Sequence, residues 1–217
     1  MKARFSLSPA AATLALAVAL SVAVAAGTVA TVMATRVSDA QIDDWQMQGS
    51  ATHAAWPVWR LRLAAAFGNA AAREALADVL VSSAQLGDRR AGVELYRRLA
   101  LDGVPNAQAT LGHLLLRGVP GITLDYAESR RWLSVAAAHD PQAAYDLATL
   151  YRNGYGVARD SLLSIRWLEQ AAQAGVPLAQ FQLANEYRFG ATLPRDEDAY
   201  WAYVKESEHD LKHISRP

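Results

Sequence analysis

Three stretches of this chain carry side chains at spacings that chemistry can use. His209 and His213 stand four residues apart, which on a helix puts two imidazoles on one face at a zinc-ligand separation. Between them there is no glutamate of the HExxH kind and no third ligand follows, so a solvated helix end is the better reading. Gly154-Tyr155-Gly156 has the glycines of a phosphate-cradling turn. It follows a helical pattern rather than a strand, and no Lys-Ser/Thr pair comes after it, so it reads as an interhelix turn. Asp196, Glu197 and Asp198 crowd three carboxylates at a helix start, where negative charge complements the helix dipole rather than forming an acid–base pair. A nucleophilic triad is unsupported: His113 and His139 fall in different helical segments, and neither G-x-S-x-G nor Ser-x-x-Lys occurs. With no cysteine, thiol nucleophiles, disulfides and thiolate metal sites are excluded.

The elements that would position these groups announce themselves by repetition. Pro105, Pro141 and Pro177 recur every 36 residues, and other columns march with them: Ala107, Ala143, Ala179; Leu111, Leu147, Leu183; Gly112, Ala148, Ala184; Leu115, Tyr151, Tyr187; Gly118, Gly154, Gly190. A fixed period of this length is the signature of stacked helical repeats. Within Pro141–Val176, Asp140 is placed to cap a first helix and Pro141 to open it. Ala143, Leu147, Ala148 and Tyr151 form its apolar stripe, and Gly154 stops it in the left-handed conformation. Asp160 then caps a second helix, with Leu163, Trp167, Ala171 and Ala172 as its stripe, which makes Trp132 and Trp167 packing residues. One such hairpin cannot bury its stripe alone, so stability must come from stacking on neighbours.

These residues resemble the Sel-one-like repeat family, relatives of the tetratricopeptide repeats. The copy over 141–176 carries the family's Ala143, Leu147, Ala148, Tyr151, Gly154, Gly156, Val157, Asp160, Trp167, Ala171, Ala172 and Gly175. The copy over 105–140 departs in a longer Gly118–Gly121 loop and in Asp140, where glycine is usual. The copy over 177–210 loses the second loop glycine and has Tyr203 in place of tryptophan. A degenerate copy spans 69–104, and a tail follows from 211 to 217. The implied fold is all-α, an α/α superhelix of about four hairpins behind an N-terminal signal or membrane-anchor helix. What the resemblance implies for activity is a non-enzymatic scaffold or adaptor, in secretion, exopolysaccharide export or envelope signalling. The alternative is a module that binds cell-wall fragments or accompanies an enzyme, and a third reading is a subunit stable only in an assembly.

The rest of the chain frames that expectation. Residues 1–35 begin with Lys2 and Arg4 and continue as an uncharged run from Phe5 to Thr35, which reads as a secretory signal or a single membrane anchor, with the repeats exported. Residues 36–68 combine a polar linker or short amphipathic helix with an apolar stretch around Trp56 and Trp59, read as a cap on the first hairpin or, alternatively, as a membrane-surface or partner-docking helix. The 21 cationic and 21 anionic side chains cancel, which argues against a nucleic-acid binder, since that needs a basic face. No cofactor or metal is implied. Partner binding falls to surface columns between the core positions: Asn106, Gln142, Leu178; Ala109, Tyr145, Phe181; His113, Thr149, Asn185; Leu116, Arg152, Arg188. In a superhelix of this type they are expected on the concave face, where Arg152 and Arg188 hold carboxylates of a protein or peptide partner and Tyr145, Thr149, Phe181 and Asn185 add contact. The competing reading pairs the two arginines with Asp146 or Glu186. A solenoid also needs a polar cap at its last hairpin. Either the stretch from Tyr200 to His213 is polar enough, or a partner covers that end.

Overall fold

A computed structural model describes residues 37–52 and 55–214; the side chains of 51–57 and 207–214 lie outside the description. The signal or anchor segment therefore falls outside it, as do the side chains of Trp56, His209 and His213. Among the described residues there are ten helices, no strand, and no helix long and apolar enough to cross a membrane.

The described residues form two compact units, divided between Ser82 and Ser83. In the first, α1 (Asp39–Thr52), α2 (Ala55–Ala66) and α3 (Ala70–Val81) pack together. The stretch read as a linker or short helix is the helix α1, and it buries Ile42 and Trp45. Asn69 caps α3 by accepting from Ala72 N at 2.9 Å. Gln46 donates to Asp78 at 2.8 Å, tying α1 to α3.

The second unit holds α4 (Leu86–Leu101), α5 (Pro105–Arg117), α6 (Tyr126–Ala136), α7 (Pro141–Asn153), α8 (Ser161–Gln173), α9 (Pro177–Phe189) and α10 (Glu197–Ile214). The hairpins are α5–α6, α7–α8 and α9–α10, and each first helix packs also on the second helix before it. The residues read as the degenerate copy divide between the units, α3 in the first and α4 in the second.

Local chemistry explains the boundaries. Proline opens α5, α7 and α9, where its missing N–H is an orphan in any case. Asp125, Asp140 and Asp160 cap α6, α7 and α8 through backbone N–H groups at 2.8–2.9 Å. Gly154 and Gly190 end α7 and α9 at φ 72° and 67°, conformations that cost other residues about 1 kcal/mol or more. Each hairpin turn then closes with the same bond: the N–H of Asp125, Asp160 or Asp196 donates to the carbonyl of Leu115, Tyr151 or Tyr187 at 3.2, 2.9 and 3.1 Å.

The repeated columns are the core. Ala107, Ala143, Ala179, Leu111, Leu147 and Leu183 are fully buried. On the second helices Ala171 and Ala172 are buried as the sequence reading placed them, but Ser164 and Leu168 take the place of Leu163 and Trp167 in the stripe. Leu133 and Leu168 are buried, with Ser129 and Ser164, while Trp132 and Trp167 are half-buried beside them. Ser129 and Ser164 donate to the carbonyls of Gly112 and Ala148 at 2.7 and 2.8 Å, so a buried hydroxyl pins each hairpin at its small-residue crossing.

The turn glycines position neighbours as well. A Cβ on Gly156 would lie 2.7–2.8 Å from the Tyr126 and Ala127 backbone region. The turn of the 141–176 hairpin thus sits directly on the start of α6, and Tyr155 stacks on Tyr126 at 5.0 Å.

Candidate functional site

The surface stripe singled out on the first helices faces the next first helix in the stack. This follows from who bonds whom. On α5, His113 Nδ1 lies 2.7 Å from Asp146 Oδ2 of α7, and its Nε2 lies 3.0 Å from Asp140 Oδ2. Arg117 Nη2 donates to both Asp146 oxygens at 3.1 Å, and Gln142 Nε2 donates to Oδ1 at 3.3 Å. On α7, Arg152 Nη1 donates to Gln182 Oε1 of α9 at 2.7 Å, and Gln182 Nε2 donates to the Tyr145 hydroxyl at 2.7 Å. Arg152 therefore pairs with Gln182 rather than with Asp146.

The two junctions differ in electrostatics. Asp146 is 3% exposed, and His113, Arg117 and Gln142 supply the hydrogen bonds that a carboxylate taken out of water requires. Burial opposes protonation of His113, but hydrogen bonds to Asp146 and Asp140 outweigh it, and its pKa rises above 6.5. With carboxylates at both ring nitrogens, the imidazolium is the form that satisfies both. The α7–α9 junction is built instead from an amide, a phenol and a single cation.

The last first helix presents the same stripe uncovered. Leu178, Phe181, Asn185 and Arg188 recur at three- and four-residue steps along α9. Leu178 is 56% and Phe181 55% exposed, and Arg188 is exposed, whereas Gln142, Tyr145 and Arg152 in the same columns are half-buried. On α10, Trp201 is 59% exposed, while Ile165, one repeat earlier, is buried. The Arg188 guanidinium lies 5.4 Å from the centroids of both Phe189 and Tyr200. Of the six residues expected to bind a partner, Tyr145 and Arg152 are engaged between repeats, Thr149 donates to the Tyr145 carbonyl at 3.2 Å, and Phe181 and Arg188 are exposed beside half-buried Asn185.

Sequence reading named Asp146 as an acceptor, but for Arg152 rather than for His113 and Arg117, and it missed Gln182. Their signal was a hydrogen-bonding side chain at 110, 146 and 182, one step beyond the stripe. It also placed His139 in a helix. His139 lies in the turn after α6, with Nε2 3.3 Å from the Pro105 carbonyl oxygen.

Two clefts lie elsewhere in this unit. One, of about 380 Å³, is lined by Arg90, Glu94, Arg97, Thr123, Asp125 and Glu128. Its main charges answer one another. Arg97 donates to Glu128 at 2.9 and 3.0 Å and to Glu94 at 2.9 Å, and the Arg97 bond holds the Glu128 carboxyl below its ordinary range. The other, of about 1030 Å³, lies among Gln173, Gln180, Tyr187, Tyr203 and Lys205, with the two tyrosines stacked at 6.0 Å. Among the described residues no group of three or more His, Asp or Glu side chains is placed to hold a metal.

The Sel1 repeat family model matches residues 105–140, 141–176 and 177–199, which cover α5 to α9 and the start of α10. The chain carries three Sel1 repeats. Sel1 repeats are generally non-catalytic protein-interaction scaffolds. A solved Sel1 repeat protein from Oxalobacter formigenes matches with a TM-score of 0.66 at 25% identity, over 79% of this chain and 72% of its own. A protective antigen of uropathogenic Escherichia coli with an SLR fold matches with a TM-score of 0.52 at 20% identity, over 70% of this chain and 41% of its own, a likeness of fold alone. An uncharacterised protein of Neisseria meningitidis serogroup B is 38% identical over 131 residues, 60% of this chain. The match spans about a quarter (26%) of that relative's length.

Proposed function

We propose that this Sel1 repeat chain is a non-enzymatic adaptor that holds a protein or peptide partner in a bacterial envelope complex, in secretion, exopolysaccharide export or envelope signalling. The observation that carries the adaptor reading is the stripe on α9. Columns closed between helices at two successive junctions are open on the last hairpin, with Leu178 and Phe181 more than half exposed beside Arg188. An open stripe of large apolar side chains beside an arginine is the kind of patch that marks an interaction surface. The envelope part rests on the sequence. Lys2 and Arg4 ahead of an uncharged run to Thr35 fit a signal or anchor that exports the repeats.

The test is affinity capture from membrane and periplasmic fractions, comparing the native chain with a Phe181→Asp/Arg188→Glu variant. Arg152 stays native, because it bonds between repeats. One protein held by the native chain and lost by the still-folded variant is the expected result. Native chain that retains no protein from either fraction sinks the adaptor reading.

A further inference from the structure

Resting on the adaptor reading, we infer that the α9 stripe binds an α-helix of a partner protein that presents an apolar side and a carboxylate, stacked as another first helix would be. The interface is already built twice in this chain. At α5–α7 and at α7–α9, side chains of one first helix bond to the next across the stripe. The incoming helix brings one acceptor, Asp146 or Gln182, to meet donors on the stripe. The α9 stripe repeats the receiving side. Phe181 takes the column of Tyr145, and Arg188 takes the column of Arg152, whose guanidinium donates to the incoming acceptor at 2.7 Å.

Three features select the occupant. The stripe from Leu178 to Arg188 is about 15 Å long at the helical rise, which matches about three turns of a second helix. An apolar side is required because Leu178 and Phe181 are each more than half exposed on the stripe. A carboxylate is favoured because Arg188 is the stripe's charge and the Phe189 and Tyr200 rings hold its guanidinium in place. A second copy of the same stripe is the poorer occupant: it would oppose Arg188 to Arg188, and Leu178, Phe181, Asn185 and Arg188 include no acid. Trp201, exposed where Ile165 is buried, extends the apolar contact onto α10.

The probe is a stapled, end-capped helix with the α7 sequence Pro141–Asn153, which carries Ala143, Ala144 and the Asp146 carboxylate, added to the full chain and read by fluorescence anisotropy and amide shifts. Saturable binding with shifts confined to α9 and the start of α10 is expected. Arg188→Glu should weaken it about tenfold or more, and a probe with Asp146→Arg should bind the Arg188→Glu chain better than the native one. Phe181→Asp should abolish binding. No binding, binding indifferent to Arg188→Glu, or shifts elsewhere overturns the inference. Sedimentation that shows a native dimer lost on Phe181→Asp also overturns it, by making a second copy the occupant. A partner captured from the envelope but crosslinked away from α9 overturns this inference while leaving the adaptor reading intact.

Discussion

The junctions α5–α7 and α7–α9 occupy the same columns of the same repeat, yet they are held by different chemistry. The first gathers His113, Arg117, Asp140 and Asp146 into a balanced set of two cations and two anions around a nearly buried carboxylate. The second uses one neutral amide, Gln182, bridging Tyr145 and Arg152. The difference shows that the repeat fixes where helices meet but leaves the polar contents of the meeting free. A buried ion cluster adds little net stability over an apolar substitute, but it is costly to break in part.

The largest test of that contrast is truncation of the two acceptors. Asp146→Ala removes the buried acceptor of the half-buried His113 and should cost about 3 kcal/mol. Gln182→Ala should cost about 1 kcal/mol. Urea unfolding of both variants checks the ratio; equal losses would mean that the two junctions are energetically alike.

Next in size is the small-residue column at the crossings. A Cβ on Gly112 would lie 2.7 Å from Leu133 Cδ2, whereas Ala148 already occupies that column one repeat later. Gly112→Ala should cost about 1–3 kcal/mol through overpacking. Ala148→Gly should cost about 1 kcal/mol, chiefly through helix propensity. Thermal melts of the pair separate the two causes, and a stabilised Gly112→Ala would show that Leu133 moves aside freely.

The pH response should sharpen the comparison further. His113 has a folded pKa above 6.5, so its contribution is complete below the unfolded value and fades as pH rises through the folded one. Amide exchange in α5 and α7 should therefore speed up over that range relative to α9. His113→Gln should flatten the difference. Parallel profiles in native and variant protein would mean that the imidazole stays neutral.

The smallest expected effect concerns the second helices. Trp132 Nε1 donates to Glu128 at 3.3 Å, whereas the buried Trp167 Nε1 has no partner and Leu163 stands where Glu128 would be. Leu163→Glu should move the Trp167 indole N–H resonance toward that of Trp132 and change stability by about 0.5 kcal/mol or less. An unmoved resonance would show that the new carboxylate turns to solvent.

What was legible in the sequence was local or periodic. Asp140, Asp160, Pro141 and Gly154 act within one turn of their own position, so their roles follow from residue type alone. Leu111, Leu147 and Leu183 are readable because burial repeats with the period. The site was less legible. The stripe Tyr145–Arg152 was visible as a set of columns, but which neighbour it faces depends on how hairpins pack, and that is set by crossings such as Gly112 with Ser129. On the second helix Ala171 and Ala172 were legible, but Trp167 was taken ahead of Leu168 because it outweighs it in apolar bulk, although its half-polar ring sits at the edge of the core.

Asp146 and Tyr145 are consecutive residues that point at different neighbours, one back toward α5 and the other forward toward α9. Each hairpin therefore carries a lock for its predecessor and a key for its successor, cut to different patterns. A hairpin duplicated or moved within the gene would meet the wrong pattern, with His113 set against an amide or Arg152 against an aspartate. Order along the array is thus written into the polar residues, and the number of repeats cannot drift as freely as it does in arrays of identical units.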